Sequence, residues 1–215
     1  MNDALRKKLT AIAEARQTKD DPSHDFQHIL RVVNLAERIA EEEKGDLDII
    51  IAAALFHDTV VYQKDTTESK SESDKSAEVA EQILSDIDEY PKEKIDSVKT
   101  SIRQCSFAKG IVPDLLESKI LQDAYRLEAT GAISIMRTFA SGGQMKRQFY
   151  DPKDPFCELG TVEFRSGLDF FHNRLLVVGK TMHTKYARDK AKRRTRFLED
   201  FLAQLRNELR ESGIM

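Results

Sequence analysis

The sequence predicts an all-α protein, a single-domain helical bundle, and three observations carry that prediction. Apolar residues recur at helical spacing through segment after segment, and no stretch alternates apolar and polar residues at the two-residue period of a strand. The 215 residues, 40% hydrophobic and 33% charged, are enough to bury a core without covalent staples. No Pro-, Ser- or Gly-rich linker divides them, so one domain spanning residues 1–215 is expected.

The elements follow in order. Leu5, Leu9 and Ile12 mark a first amphipathic helix, which the turn-forming Asp20-Asp21-Pro22-Ser23 stops. Ser23 is the expected N-cap of the second helix, with Gln27 near the position a capping box uses. At 100° per residue, Val32, Val33, Leu35, Ala36, Ile39 and Ala40 share one arc of that helix, and His28 lies at the arc's edge with His24 and Arg31 beside it. A polar cluster at the margin of a buried stripe looks into a cleft rather than into bulk water. Gly45 is expected to end this helix and Asp46 to begin the next. Leu47 to Phe56 is apolar almost throughout, the pattern of a helix surrounded by others, and His57-Asp58 stands at its exit. Residues 63–76 are polar and read as a loop; further helices follow at about 75–87, 91–104, 114–138, 166–178 and 184–211.

Composition excludes several classes of function. A net charge of −3 gives no global attraction to nucleic acid or to an anionic membrane. Cys105 and Cys157 form neither a disulfide framework nor a CxxC pair, which suits free thiols in a reducing cytoplasm. No apolar stretch approaches the roughly 20 residues that span a bilayer. Asp3, Arg6, Lys7 and Lys8 interrupt any signal-peptide core, so a cytoplasmic location is expected.

The chemistry is concentrated early. His24-Asp25-Phe26-Gln27-His28 and His57-Asp58 hold three of the five histidines. A single histidine on an apolar face is ordinarily a hydrogen-bonded core residue. Several imidazoles with a neighbouring carboxylate suit a divalent first-row metal equally well, and a helix that ends at His57 would let both members of the doublet reach one ion. Spacing alone leaves the two readings level.

The runs His28-Ile29-Leu30-Arg31-Val32, Ala53-Ala54-Leu55-Phe56-His57-Asp58 and Gln122-Asp123-Ala124-Tyr125-Arg126-Leu127 resemble the successive motifs of the HD-domain metal-dependent phosphohydrolases. The similarity is strongest to the single-domain bacterial and archaeal branch associated with nucleotide pyrophosphohydrolase activity, and it continues through Gly131 to Phe139 into the C-terminal helices. It implies an HD-type bundle with core motifs in about 24–138, helices of 166–211 packed on them, and a divalent metal held by His28, His57, Asp58 and a late aspartate. Manganese or magnesium is the expected ion, with iron, cobalt, nickel and zinc also suited to such ligands. The metal would activate a water and polarise a phosphoryl oxygen of a small phosphorylated substrate, a nucleotide above all, while cations offset developing charge. Arg31 and Lys64 are the candidate phosphate contacts, and His24 with Asp25 is a candidate proton-transfer group.

Two positions depart from the family pattern. The late motif usually reads Asp-Ala-Asp-Arg-Leu, and Tyr125 stands at its second aspartate, which makes Asp123 the nearest substitute ligand. On a regular helix those two side chains point about 200° apart, so Asp123 would reach a metal only through a distortion or helix start. Three residues after Asp58, where many relatives carry an acid, this chain has Val61, which moves no protons.

Two further stretches invite function. Ser141 to Tyr150 reads as a surface loop, with a lid that stacks a base on Phe149 or Tyr150 as the alternative. Lys180, Lys185, Arg188, Lys190, Lys192, Arg193, Arg194 and Arg196 form a basic run, while Ala187, Ala191, Leu198, Leu202, Leu205 and Leu209 form a seam that makes those charges the solvated back of a packed helix. Three classes therefore stand: a phosphohydrolase, a nucleotide- or metal-binding sensor on the same scaffold, and, weakest, a nucleic-acid module resting on the basic run.

Overall fold

The computed structural model describes residues 1–17, 23–62, 67–106, 109–160 and 164–214, and the architecture there is all-α, with one isolated bridge between Gln148 and Ser166. The chain divides into two compact units, one of Met1–Asp20 with His24–Tyr125, the other of Asp21–Ser23 with Arg126–Met215.

In the first unit, α1 (Asp3–Arg16), α2 (Phe26–Glu43), α4 (Glu72–Ser85) and α5 (Ile95–Cys105) surround α3 (Leu47–Phe56). That arrangement explains why α3 is apolar on every side: all eight residues from Ile49 to Phe56 are buried. The cap of α2 is Asp25, whose carboxylate accepts from the His28 N–H at 2.8 Å; the expected cap, Ser23, belongs to the second unit and shares a hydrogen bond there with Ser141, Oγ to Oγ at 2.8 Å. The left-handed residue that ends α2 is Lys44, at φ 62°, rather than Gly45. Gly45 serves close packing instead: a Cβ there would stand 2.6 Å from the terminal methyl of Ile120 and 2.7 Å from that of Ile50, so those side chains would have to shift to admit it. Of the polar stretch read as a loop over 63–76, residues 63–66 lie outside the described residues, and from Glu68 onward it is helical: a 3₁₀ turn over Glu68–Ser71 leads straight into α4.

The single helix expected over about 114–138 is two. α6 (Leu116–Leu127) ends, Thr130 is extended, and α7 (Gly131–Gln144) begins at a glycine with φ 72°, a conformation that side chains rarely adopt. Helical periodicity runs across the break and hides it. α7 also absorbs Ser141 to Gln144, so the segment read as a loop or lid is helical in its first part.

The second unit continues with α8 (Gly167–Phe170), a π turn over Phe171–Leu175 and α9 (Leu176–Val178), followed by α10 (Lys185–Glu211). Its core gathers Phe156, Leu168, Phe171 and Leu175 around Leu198, Leu202 and Leu209 of α10, with Phe171 stacked on Phe201 at 5.7 Å. The seam expected on α10 is thus apolar and covered along most of its length.

Candidate metal centre

Two helices of the first unit bring the early histidines together. Asp25 starts α2 so that His28 falls in its first turn, fully buried. α3 ends at His57, its C-cap, and the turn that follows brings Asp58 back toward the same point. One ligand atom each from His28, His57 and Asp58 lie within 4.8 Å of one another.

The separations carry chemical information. His28 Nε2 lies 3.4 Å and His57 Nε2 3.5 Å from Asp58 Oδ2, beyond the roughly 2.7–3.2 Å of an N–H···O bond. Two donors each about 2.1 Å from one ion stand about 3.0 Å apart at the right angle of an octahedral site and about 3.4 Å apart at the tetrahedral angle, so small side-chain shifts bring these atoms to either. The donor set and its spacing therefore fit a divalent cation. The His57 Nδ1 supports this, since it lies 2.8 Å from the Ala54 carbonyl oxygen. A hydrogen donated there fixes the tautomer and leaves Nε2 as the lone-pair nitrogen facing Asp58. Burial raises the Asp58 carboxyl, but positive charge on the imidazoles of His57 and His28, with His24 behind them, more than reverses that and holds it well below the usual carboxylate range; a dication would take the place of those protons. The carboxyl is ionised at neutral pH, the state a metal ligand requires.

Around this trio, the His24 ring meets the His28 ring edge-on at 5.9 Å, and Arg31, half-buried, follows one helical turn later on α2. Tyr125 comes to the same corner. Its ring stands edge-on to His57 at 5.4 Å and to His28 at 6.1 Å. Asp123 is fully buried on α6 and is not among the converging ligand atoms. Lys64 lies outside the described residues. Sequence reasoning missed the Ala54 carbonyl, because a backbone acceptor carries no residue-type signal; only the end of an apolar helix three residues later hints at it.

Comparison with known proteins places this geometry in a family. The model of the HD domain matches residues 25–130. The uncharacterised protein YpgQ of Bacillus subtilis is 33% identical over 196 residues, 89% of this chain and 87% of that protein. A crystal structure of YpgQ in complex with ADP superposes with a TM-score of 0.70 at 28% identity, covering 98% of this chain and 100% of that one. An HD-superfamily hydrolase of Bacillus thuringiensis superposes with a TM-score of 0.69 at 32% identity, covering 96% and 97%. With its histidines and His-Asp doublet brought to one corner of an all-α fold, the chain belongs to the HD-domain superfamily of phosphohydrolases.

Proposed function

We propose that the protein is a metal-dependent phosphohydrolase acting on a nucleotide or a related small phosphoester, in the single-domain, pyrophosphohydrolase-like branch of the superfamily, and that it works in the cytoplasm. The observation that carries the reading is the convergence of two imidazole nitrogens and an ionised carboxylate at separations one dication would bridge. The ADP bound by YpgQ supports a nucleotide as substrate class. No helix among the described residues is long and apolar enough to cross a membrane.

In this reading His28, His57 and Asp58 hold a manganese or magnesium ion, with other first-row ions suited to the same donors. A bound dication lowers the pKa of a coordinated water and polarises a phosphoryl oxygen. Asp58 contributes the negative charge that favours a dication over a proton. Arg31 offers a guanidinium to the phosphoryl oxygens, and Lys64 a second cation. His24, beside His28, is the proton-transfer group of the corner. Asp123 is assigned to the support of this ligand set from α6, where its carboxylate stays out of water.

Two observations favour a second reading. Tyr125 presents an aromatic edge to both imidazoles at the position where the family resemblance puts a carboxylate, and Val61 supplies no acid. A site of three protein ligands would bind metal and nucleotide as a sensor with little turnover. Metal analysis of purified protein, paired with phosphate and pyrophosphate release across a nucleotide panel with manganese, separates the two. The hydrolase reading requires release that His57→Ala abolishes. Bound metal and bound nucleotide without release would establish the sensor and end the enzyme claim.

A further inference from the structure

The basic run of α10 is mostly exposed, as its spacing predicts, but one face of it meets another helix. Lys190, Arg193, Arg194 and Phe197 stand at i, i+3, i+4 and i+7, so they share one face of the helix. That face meets Gly131 and Ala132, the first two residues of α7, and together the six residues line a cavity of about 260 Å³. Three of the six are cations and none is an acid. Like charges converging on one cavity repel one another, an arrangement that an anion relieves.

The walls are built for close approach. Gly131 takes φ 72°, and a Cβ there would stand 3.1 Å from Cγ of Arg194, so the absence of a side chain lets the Arg194 stem run against the backbone. One guanidinium N–H of Arg194 donates to the Leu127 carbonyl at 2.9 Å, which anchors the group and leaves its other donors available. Lys190 rests over the Tyr186 ring, its Nζ 5.1 Å from the centroid. Arg193 is exposed and makes no ion pair among the described residues. The first turn of α7 contains no acidic residue and no side-chain cap, so its N–H groups add partial positive charge to the same end. Glu128, buried and 4.0 Å from Arg137, is a carboxylate whose charge is felt at Arg194 but which does not line the cavity. Phe197, 47% exposed, gives the rim an aromatic face.

We propose that this cavity binds the phosphoryl group of a small molecule, through Lys190, Arg193 and Arg194 at the N-terminus of α7. Its volume falls just below the roughly 300 Å³ at which pockets enclose drug-sized ligands, so it holds a phosphate or pyrophosphate moiety, with a nucleobase, where present, lying against Phe197 outside it. The site uses no metal ligand and stands whether or not the metal corner turns over.

Titration calorimetry on the full chain in EDTA at low salt tests it, with inorganic pyrophosphate and ATP as probes. The wild type should bind at least one of them, and Arg193→Glu and Lys190→Glu should each weaken that binding about tenfold or more. Equal affinity for both probes identifies the free anion as ligand; tighter ATP binding that Phe197→Ala removes identifies a nucleotide. Lys192→Glu, which reverses an exposed charge of α10 outside the cavity lining, should leave the affinity nearly unchanged. Absence of wild-type binding overturns the proposal, as do unaltered affinities in both charge-reversed cavity variants or an equal loss of binding in Lys192→Glu. Tighter binding of a single-stranded RNA with a steep salt slope would overturn it in favour of a nucleic-acid surface. Circular dichroism checks the fold of each variant, and Arg193→Gln replaces the glutamate variant if that one unfolds.

Discussion

Asp58 and Asp169 are both carboxylates withdrawn from bulk water and both held below the usual carboxylate range, yet their neighbours differ in kind. Asp169 is saturated with donors. It accepts from the Cys157 thiol at 3.0 Å and from the backbone N–H groups of Ser166 at 2.7 Å and Arg165 at 2.9 Å, closing a capping box at the start of α8. Asp58 faces imidazole nitrogens at separations too long for hydrogen bonds, one of them an acceptor whenever its ring is neutral. A depressed carboxyl therefore does not by itself mark a functional site. What distinguishes the two is what holds the charge: at Asp169 fixed thiol and backbone donors do, whereas at Asp58 it is the imidazoles of His57 and His28, groups whose nitrogens serve equally well as metal ligands.

The largest expected effect breaks the contrast at its functional end. His57→Ala should lower manganese affinity at least about 100-fold, the upper end of what loss of a supporting partner alone costs. Calorimetry or metal content after dialysis measures it, and metal retained at the wild-type level would remove His57 from the ligand set. Asp169→Ala should do the reverse, leaving metal affinity unchanged while destabilising the fold by about 1–3 kcal/mol, because buried backbone donors lose their acceptor. Urea denaturation gives the second number, and a stability equal to wild type would contradict the structural role.

The same contrast explains how much was legible beforehand. α3 is read with its observed bounds because an apolar run buried on all sides needs no neighbour to explain it. The seam of α10 is equally plain in its spacing. The break between α6 and α7 is not, since apolar periodicity continues across it and only the backbone at Thr130 and Gly131 turns. The cap of α2 fell to Asp25 over Ser23 because both residue types cap helices and the choice depends on where Ser23 finds another partner. At the candidate centre, residue types and order pointed to His28, His57 and Asp58, and helix geometry already set Tyr125 apart from Asp123. The tautomer-setting carbonyl of Ala54 and the cavity between α7 and α10 depend on tertiary placement and have no signature in residue order.

Tyr125 offers a gain-of-function test of intermediate size. Its ring already contacts both imidazoles, so a shorter carboxylate placed there stands near the same corner. Tyr125→Asp should raise manganese affinity about tenfold by adding a charged oxygen donor, while Tyr125→Phe, which keeps the ring, should change it little. If the aspartate variant binds metal no better, then α6 does not deliver its ligand position to this corner.

The smallest effect concerns pH and returns to Asp169. Burial raises its carboxyl, and the Cys157 thiol and the N–H groups of Ser166 and Arg165 more than offset that, so the folded-state pKa lies below the unfolded value. A group shifted in this direction binds fewer protons folded than unfolded; its stabilisation is complete above the unfolded pKa, near 4, and disappears as pH falls through the lower folded value. The thiol partner is pushed the other way, up to about 12, by burial and by Asp169 itself, so it remains a neutral donor throughout this range. Denaturant unfolding of wild type and Asp169→Asn across pH 3 to 7 should therefore give a stability difference that is constant above about pH 5 and shrinks below about pH 4. A difference that grew on acidification would mean that the protonated carboxyl is the form the fold prefers.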